Sequence, residues 1–115
     1  LYSMSLEQIN HNSNLIKADM SFKEFTEKSW KLPEEYYGNR YSVMVHGIGL
    51  CDEWPSIRYP TDGGDKSGRF LKNMTITVES YIGKVGGKEG VKLEQQYLVG
   101  ENGLELMSHH PLENI

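Results

Sequence analysis

Two adjacent glycines, Gly86 and Gly87, stand between two segments that read as strands, and this feature narrows the fold more than any other. Residues 74–82 set Met74, Ile76 and Val78 against Thr75, Thr77 and Glu79, the period-2 alternation of a half-buried strand. Residues 91–99 read as a second strand. A two-residue Gly-Gly loop favours a primed turn, whose twist matches the strands it joins. With the two glycines as the turn, cross-strand partners have residue numbers that add to 173. Glu79 and Glu94 meet that condition, so their Cβ atoms are expected ~5 Å apart on one face, where like charges repel.

A sheet keeps such a pair because solvent screens it, because one carboxyl holds a proton, or because a cation lies between them. Ile76, Val78 and Leu93 make the opposite face apolar, which by itself leaves the glutamates facing water. A longer loop through residues 84–89 is the condition under which the register changes. His46 adds a third donor. It ends an expected strand at residues 41–45 and enters Gly47-Ile48-Gly49, where glycines allow a tight turn and keep bulk away from the imidazole. One imidazole with two carboxylates suits Fe, Mn, Zn or Co better than Ca or Mg.

Upstream, the hydrophobic period is helical. Residues 5–17 read as one helix, with Ser5 and Gln8 at capping-box spacing and Leu6, Ile9 and Ile16 near one face. Residues 17–20 form a turn. Ser21 caps a second helix with Glu24 three residues on and Phe22, Phe25 and Trp30 as its stripe, stopped or kinked by Pro33. Residues 54–69 carry the composition of a long loop, and Glu101-Asn102-Gly103 makes a turn. Two helices followed by antiparallel strands read as α+β.

The 115 residues suffice for one domain, and 37% hydrophobic content with 12 glycines covers a core thinly, as in a piece of a longer protein. The net charge of −4 provides no basic field for nucleic acid, and no apolar run has membrane-spanning length. The single cysteine, Cys51, fits a reducing compartment, so the expectation is a cytoplasmic protein. His11, His109 and His110 read as surface residues, and Cys51 as a small buried one.

The quoted residues resemble the pita-bread metalloenzymes, the creatinase, aminopeptidase P and prolidase family. His46-Gly47-Ile48-Gly49-Leu50 is similar to that family's His-containing ligand segment. Thr77-Val78-Glu79 is similar to its second ligand strand and Lys92-Leu93-Glu94 to its last. Asn73-Met74 stands where the family usually has Gly-Met, and Asn tolerates the same left-handed backbone. The likeness runs from about residue 4 to 110. It implies the C-terminal portion of a pita-bread fold, two helices packed on an antiparallel sheet, with His46, Glu79 and Glu94 as metal ligands. Residues 1–115 then form a partial catalytic domain, whose upstream half carries two further aspartate ligands. The resemblance also implies two divalent ions in a full-length homodimer, a small-molecule substrate, and an inactive fragment.

Within the family, the departures point away from the peptidases. Those enzymes place a second His seven residues after the ligand His, where this chain has Glu53. After the second ligand strand they read Glu-Pro-Gly, against Glu79-Ser80-Tyr81 here. The run 46–57 and the run 85–94 are similar instead to the pita-bread dimethylsulfoniopropionate lyases. That resemblance implies β-elimination with Asp52 as base, and with Tyr41 or Trp54 facing the sulfonium through cation–π attraction. The alternatives are an Xaa-Pro metallopeptidase and a metal-free pita-bread binding module. Without the resemblance, Asp52 and Glu53 read as a solvated acidic loop, and Tyr41 and Trp54 as packing residues.

Overall fold

The computed structural model describes residues 1–49, 54–108 and 112. Helices α1 (Tyr2–Leu15), α2 (Phe22–Lys28) and the single turn α3 (Glu34–Tyr37) precede the sheet. The strands are β1 (Val43–Gly47), β2 (Ser56–Arg58), β3 (Thr75–Gly83), β4 (Gly90–Val99) and β5 (Leu104–Leu106). They form one antiparallel sheet in the order β2-β1-β3-β4-β5. The α+β reading holds, with α1 lying across β3 and β4.

Helix α1 starts three residues before the expected Ser5 cap. Ser5 and Gln8 lie inside the helix, both fully buried, and point at the sheet. The Ser5 hydroxyl donates to Ser80 Oγ at 2.9 Å, Ser80 donates to the Gln8 amide oxygen at 2.6 Å, and Gln8 Nε2 donates to the Tyr59 hydroxyl at 2.6 Å. Spacing alone does not separate a capping pair from two polar residues that satisfy each other across a packed face. Ile9 and Ile16 are buried as expected.

Ser21 does cap α2: its hydroxyl accepts from the Glu24 amide at 3.0 Å. The helix stops at Lys28, well before Pro33, which instead precedes α3; Trp30 lies beyond it. Phe22 and Phe25 meet Phe70 edge to face at 5.0 and 5.8 Å. With Ile9, Val45, Ile57, Ile76, Val78, Ile82 and Val99 they fill the space between helices and sheet.

The interval 54–69, expected as loop, holds β2 and a 3-10 turn at Pro60–Asp62. A three-residue strand with only Ile57 buried at its centre carries too little alternation to register as a period. The β3–β4 connection also differs from the expected two-residue turn. Pairing stops at Gly83 and Gly90, and six residues bridge the gap. The Gly87 amide donates to the Lys84 carbonyl at 2.8 Å, and Gly86 supplies the positive φ of 79° at the third turn position. The longer loop leaves the register intact because it lengthens both sides of the glycine pair equally. Asn73 has φ 72°, the left-handed conformation expected of it. No helix among the described residues is long and apolar enough to cross a membrane.

Candidate metal centre

The β3–β4 register places Glu79 opposite Glu94, the pair expected from the hairpin. Ser80 contacts α1, so Glu79 and Thr77 must face the other side of the sheet. On β1, His46 pairs with Thr77 and therefore shares their face. His46 lies within its strand rather than at the end. The neighbouring Gly47 is extended and serves a close approach, not a tight turn. A Cβ there would lie 1.9 Å from the Trp54 carbonyl oxygen, and the Gly47 amide donates to the Pro55 carbonyl at 2.8 Å.

Three side chains from three neighbouring strands thus converge. His46 Nε2 is 3.0 Å from Glu79 Oε2 and 3.5 Å from Glu94 Oε2, and one donor atom from each residue lies within 4.8 Å of the others. The expectation that both glutamates face water is half wrong. Glu94 keeps 42% of its side-chain exposure, whereas Glu79 keeps 2%. Burial first, and then the Glu94 charge, raise the Glu79 carboxyl above the ordinary carboxylate range; His46 and Lys92 oppose the shift.

Neither oxygen of Glu79 accepts a hydrogen bond. The Nδ1 of His46 lies 2.9 Å from the Gly47 carbonyl, which can only accept, so Nδ1 carries a proton. The other ring nitrogen, Nε2, faces two carboxylates. Such a concentration of lone pairs around a buried acid calls for a positive centre, and a backbone carbonyl orienting the ring is the usual second partner of a metal-bound histidine. The donor set, one imidazole nitrogen and two carboxylates, fits a divalent transition ion.

Lys92 was not singled out in the sequence. Its ammonium lies 3.4 Å from Glu79 Oε1, longer than a normal hydrogen bond, and 4.3 Å from the centre of the Tyr41 ring. Its position two residues before Glu94, on the same face of a strand, was the available signal.

Tyr41 therefore adjoins the cluster through Lys92. It also lines a recess of about 170 Å³ with Asn39, Arg40 and Tyr81. Trp54 is placed elsewhere: its ring meets Phe22 of α2 edge to face at 5.8 Å, and it borders a groove with Lys23, Lys66 and Arg69. The structure does not bring Trp54 to the His46 cluster. Asp52, Glu53 and Cys51, like His109 and His110, lie outside the described residues. His11 is exposed, with Nε2 3.0 Å from the Lys28 carbonyl.

Residues 1–101 match the family described as metallopeptidase family M24. The chain belongs to the M24 family. Enzymes of that family use divalent metals, in keeping with the donor set above. The chain is 35% identical over 109 residues to the dimethylsulfoniopropionate lyase DddP of Roseovarius nubinhibens, covering 93% of this chain and 24% of that protein. The enzyme of the same name from Roseobacter denitrificans is 32% identical, with 98% and 26% covered. The chain thus spans about a quarter of the length of these M24 relatives. Among solved structures, the X-Pro aminopeptidase of Thermotoga maritima superposes with a TM-score of 0.74 at 25% identity, over 97% of this chain and 31% of that one. The prolidase of Pyrococcus horikoshii gives 0.76 at 21% identity, over 99% and 32%, a likeness of fold.

Proposed function

We propose that this chain is the C-terminal part of a metal-dependent lyase that cleaves dimethylsulfoniopropionate to dimethyl sulfide and acrylate. The observation that carries the metal half of the reading is the convergence of His46, Glu79 and Glu94 around a buried carboxylate that accepts no hydrogen bond. The lyase half is supported by the 35% identity with a dimethylsulfoniopropionate lyase. It is supported also by Glu53, an acid where the Xaa-Pro peptidases of this fold have a histidine.

In this reading His46, Glu79 and Glu94 hold one side of the ion site, and two aspartates from an upstream segment complete it. Three donors from one side leave a weak, open site, so residues 1–115 alone are inactive. The bound metal would hold the substrate carboxylate and acidify the adjacent C–H. Asp52 takes that proton as base. The C–H electron pair becomes the new carbon–carbon double bond, and the C–S bond breaks with its electrons leaving on sulfur. Tyr41 borders the cationic end of the substrate. The parent acts as a cytoplasmic homodimer.

A second reading, an Xaa-Pro metallopeptidase, draws on the likeness to the X-Pro aminopeptidase at 25% identity. One experiment separates the two. The full-length parent, loaded with metal, is assayed for dimethyl sulfide release and for hydrolysis of an Xaa-Pro dipeptide. Dimethyl sulfide release that is lost in Asp52→Ala at unchanged metal content supports the lyase and its base. Dipeptide cleavage without dimethyl sulfide replaces the lyase with the peptidase.

A further inference from the structure

Lys92 lies on the same face of β4 as Glu94 and pairs across the hairpin with Tyr81. Its side chain is 44% exposed, yet its ammonium is not left to water. It reaches back to Glu79 Oε1 at 3.4 Å and lies over the Tyr41 ring at 4.3 Å. An ammonium is strongly hydrated, and fixing a four-carbon side chain costs rotamer entropy. Two attractive partners at once offset that cost.

The two oxygens of Glu79 have different neighbours. Oε2 points toward His46 Nε2, with Glu94 Oε2 nearby, whereas Oε1 faces Lys92. A carboxylate binds a divalent ion through one oxygen or through both. We infer that Lys92, steadied on the Tyr41 ring, is a positioning residue that occupies Glu79 Oε1 and keeps Glu79 a one-oxygen ligand through Oε2. The arrangement sacrifices affinity, because a positive charge beside a ligand opposes a divalent cation. It gains a coordination position that Glu79 Oε1 would otherwise fill, and open positions are what a catalytic centre needs. Tyr41 then acts from beneath Lys92 as well as at the rim of its own recess.

This inference rests on the metal reading above, and the test separates the two. Co(II) is titrated into the full-length parent and its Lys92→Met, Tyr41→Leu and Tyr41→Phe variants, with binding and visible spectra recorded. Removing the ammonium tightens Co(II) binding by roughly tenfold. It also weakens the visible absorption bands, as a second Glu79 oxygen raises the coordination number. A residue that only supported the fold would loosen binding when removed. Tyr41→Leu changes affinity and spectrum in the same direction as Lys92→Met, and Tyr41→Phe, which keeps the ring, matches the unaltered chain. Without metal, the Lys92 ε-methylene protons are shifted upfield by the ring in the unaltered chain and in Tyr41→Phe, and the shift is lost in Tyr41→Leu. If the unaltered parent takes up no Co(II), the metal reading fails and the inference with it. If it binds Co(II) while Lys92→Met binds equally or more weakly with an unchanged spectrum, the inference about Lys92 alone is overturned. Should Lys92→Met fail to fold, the two Tyr41 variants decide by the same criteria.

Discussion

Replacing Glu79 by Gln makes the metal-free protein more stable while removing its response to metal. The carboxylate is 2% exposed, neither oxygen accepts a hydrogen bond, and Glu94 stands opposite with the same charge. A buried polar group without its hydrogen bonds costs ~1–3 kcal/mol, more when charged. His46, 3.0 Å from Oε2, and Lys92 offset part of this; the Lys92 contact is 3.4 Å long and its side chain is 44% exposed, which limits its share to about 0–1 kcal/mol. The net gain for Glu79→Gln at neutral pH is therefore on the order of 1 kcal/mol, a rise in Tm of roughly 3–6 °C for a chain of this size. The assay is a thermal melt of both proteins after chelation, repeated with excess Mn(II) or Co(II). An ion at 100 times its dissociation constant stabilises the unaltered protein by ~2.7 kcal/mol. The Gln variant gains far less, so the order of the two melting points reverses when metal is added. A Gln variant that melts below the unaltered protein in chelator would show that Glu79 is satisfied without an ion, and the reasoning would be wrong.

Three further outcomes follow from the same geometry. Tyr59→Phe removes the acceptor of Gln8 Nε2 in a fully buried network and costs about 1–3 kcal/mol in chemical denaturation; equal midpoints would mean that Gln8 finds another partner. Gly47→Ala puts a methyl 1.9 Å from the Trp54 carbonyl oxygen, so the backbone beside His46 must move. It lowers stability by at least ~1–3 kcal/mol and weakens metal uptake, both readable by calorimetry. Hydrogen bonding from Arg40 holds the Asp62 carboxyl below its ordinary value of 3.8, so its stabilising contribution is present above that value and fades as the pH falls through the lower, folded-state one. Asp62→Asn therefore flattens the acid limb of the stability curve, and an unchanged limb contradicts the assignment.

The sheet that carries the cluster was legible because its signals are local. The alternation through residues 74–82 and the symmetric glycine pair determined which residues face each other, and a symmetric lengthening of the loop did not disturb the pairing. Ser21 was legible as a cap for the same reason. Strand β2 was not, because three residues that gain their place from β1 carry no period of their own. Ser5 and Gln8 misled because their partners, Ser80 and Tyr59, are 75 and 51 residues away. Within the centre, the convergence of His46, Glu79 and Glu94 could be read from spacing and resemblance. The burial of Glu79 and the bridging position of Lys92 could not, since both depend on how the faces of three strands are covered. Residue type offers Trp54 beside Tyr41 as an aromatic for the sulfonium, with packing as its alternative, and its ring meets Phe22 edge to face.

The most direct test of the central claim is anomalous diffraction from crystals of the full-length parent grown with Mn(II), recorded at the manganese edge. The account predicts an anomalous peak on the sheet face away from α1, about 2.0–2.3 Å from His46 Nε2 and from an oxygen each of Glu79 and Glu94. A structure with those side chains ordered, Mn(II) present and no peak between them would contradict it.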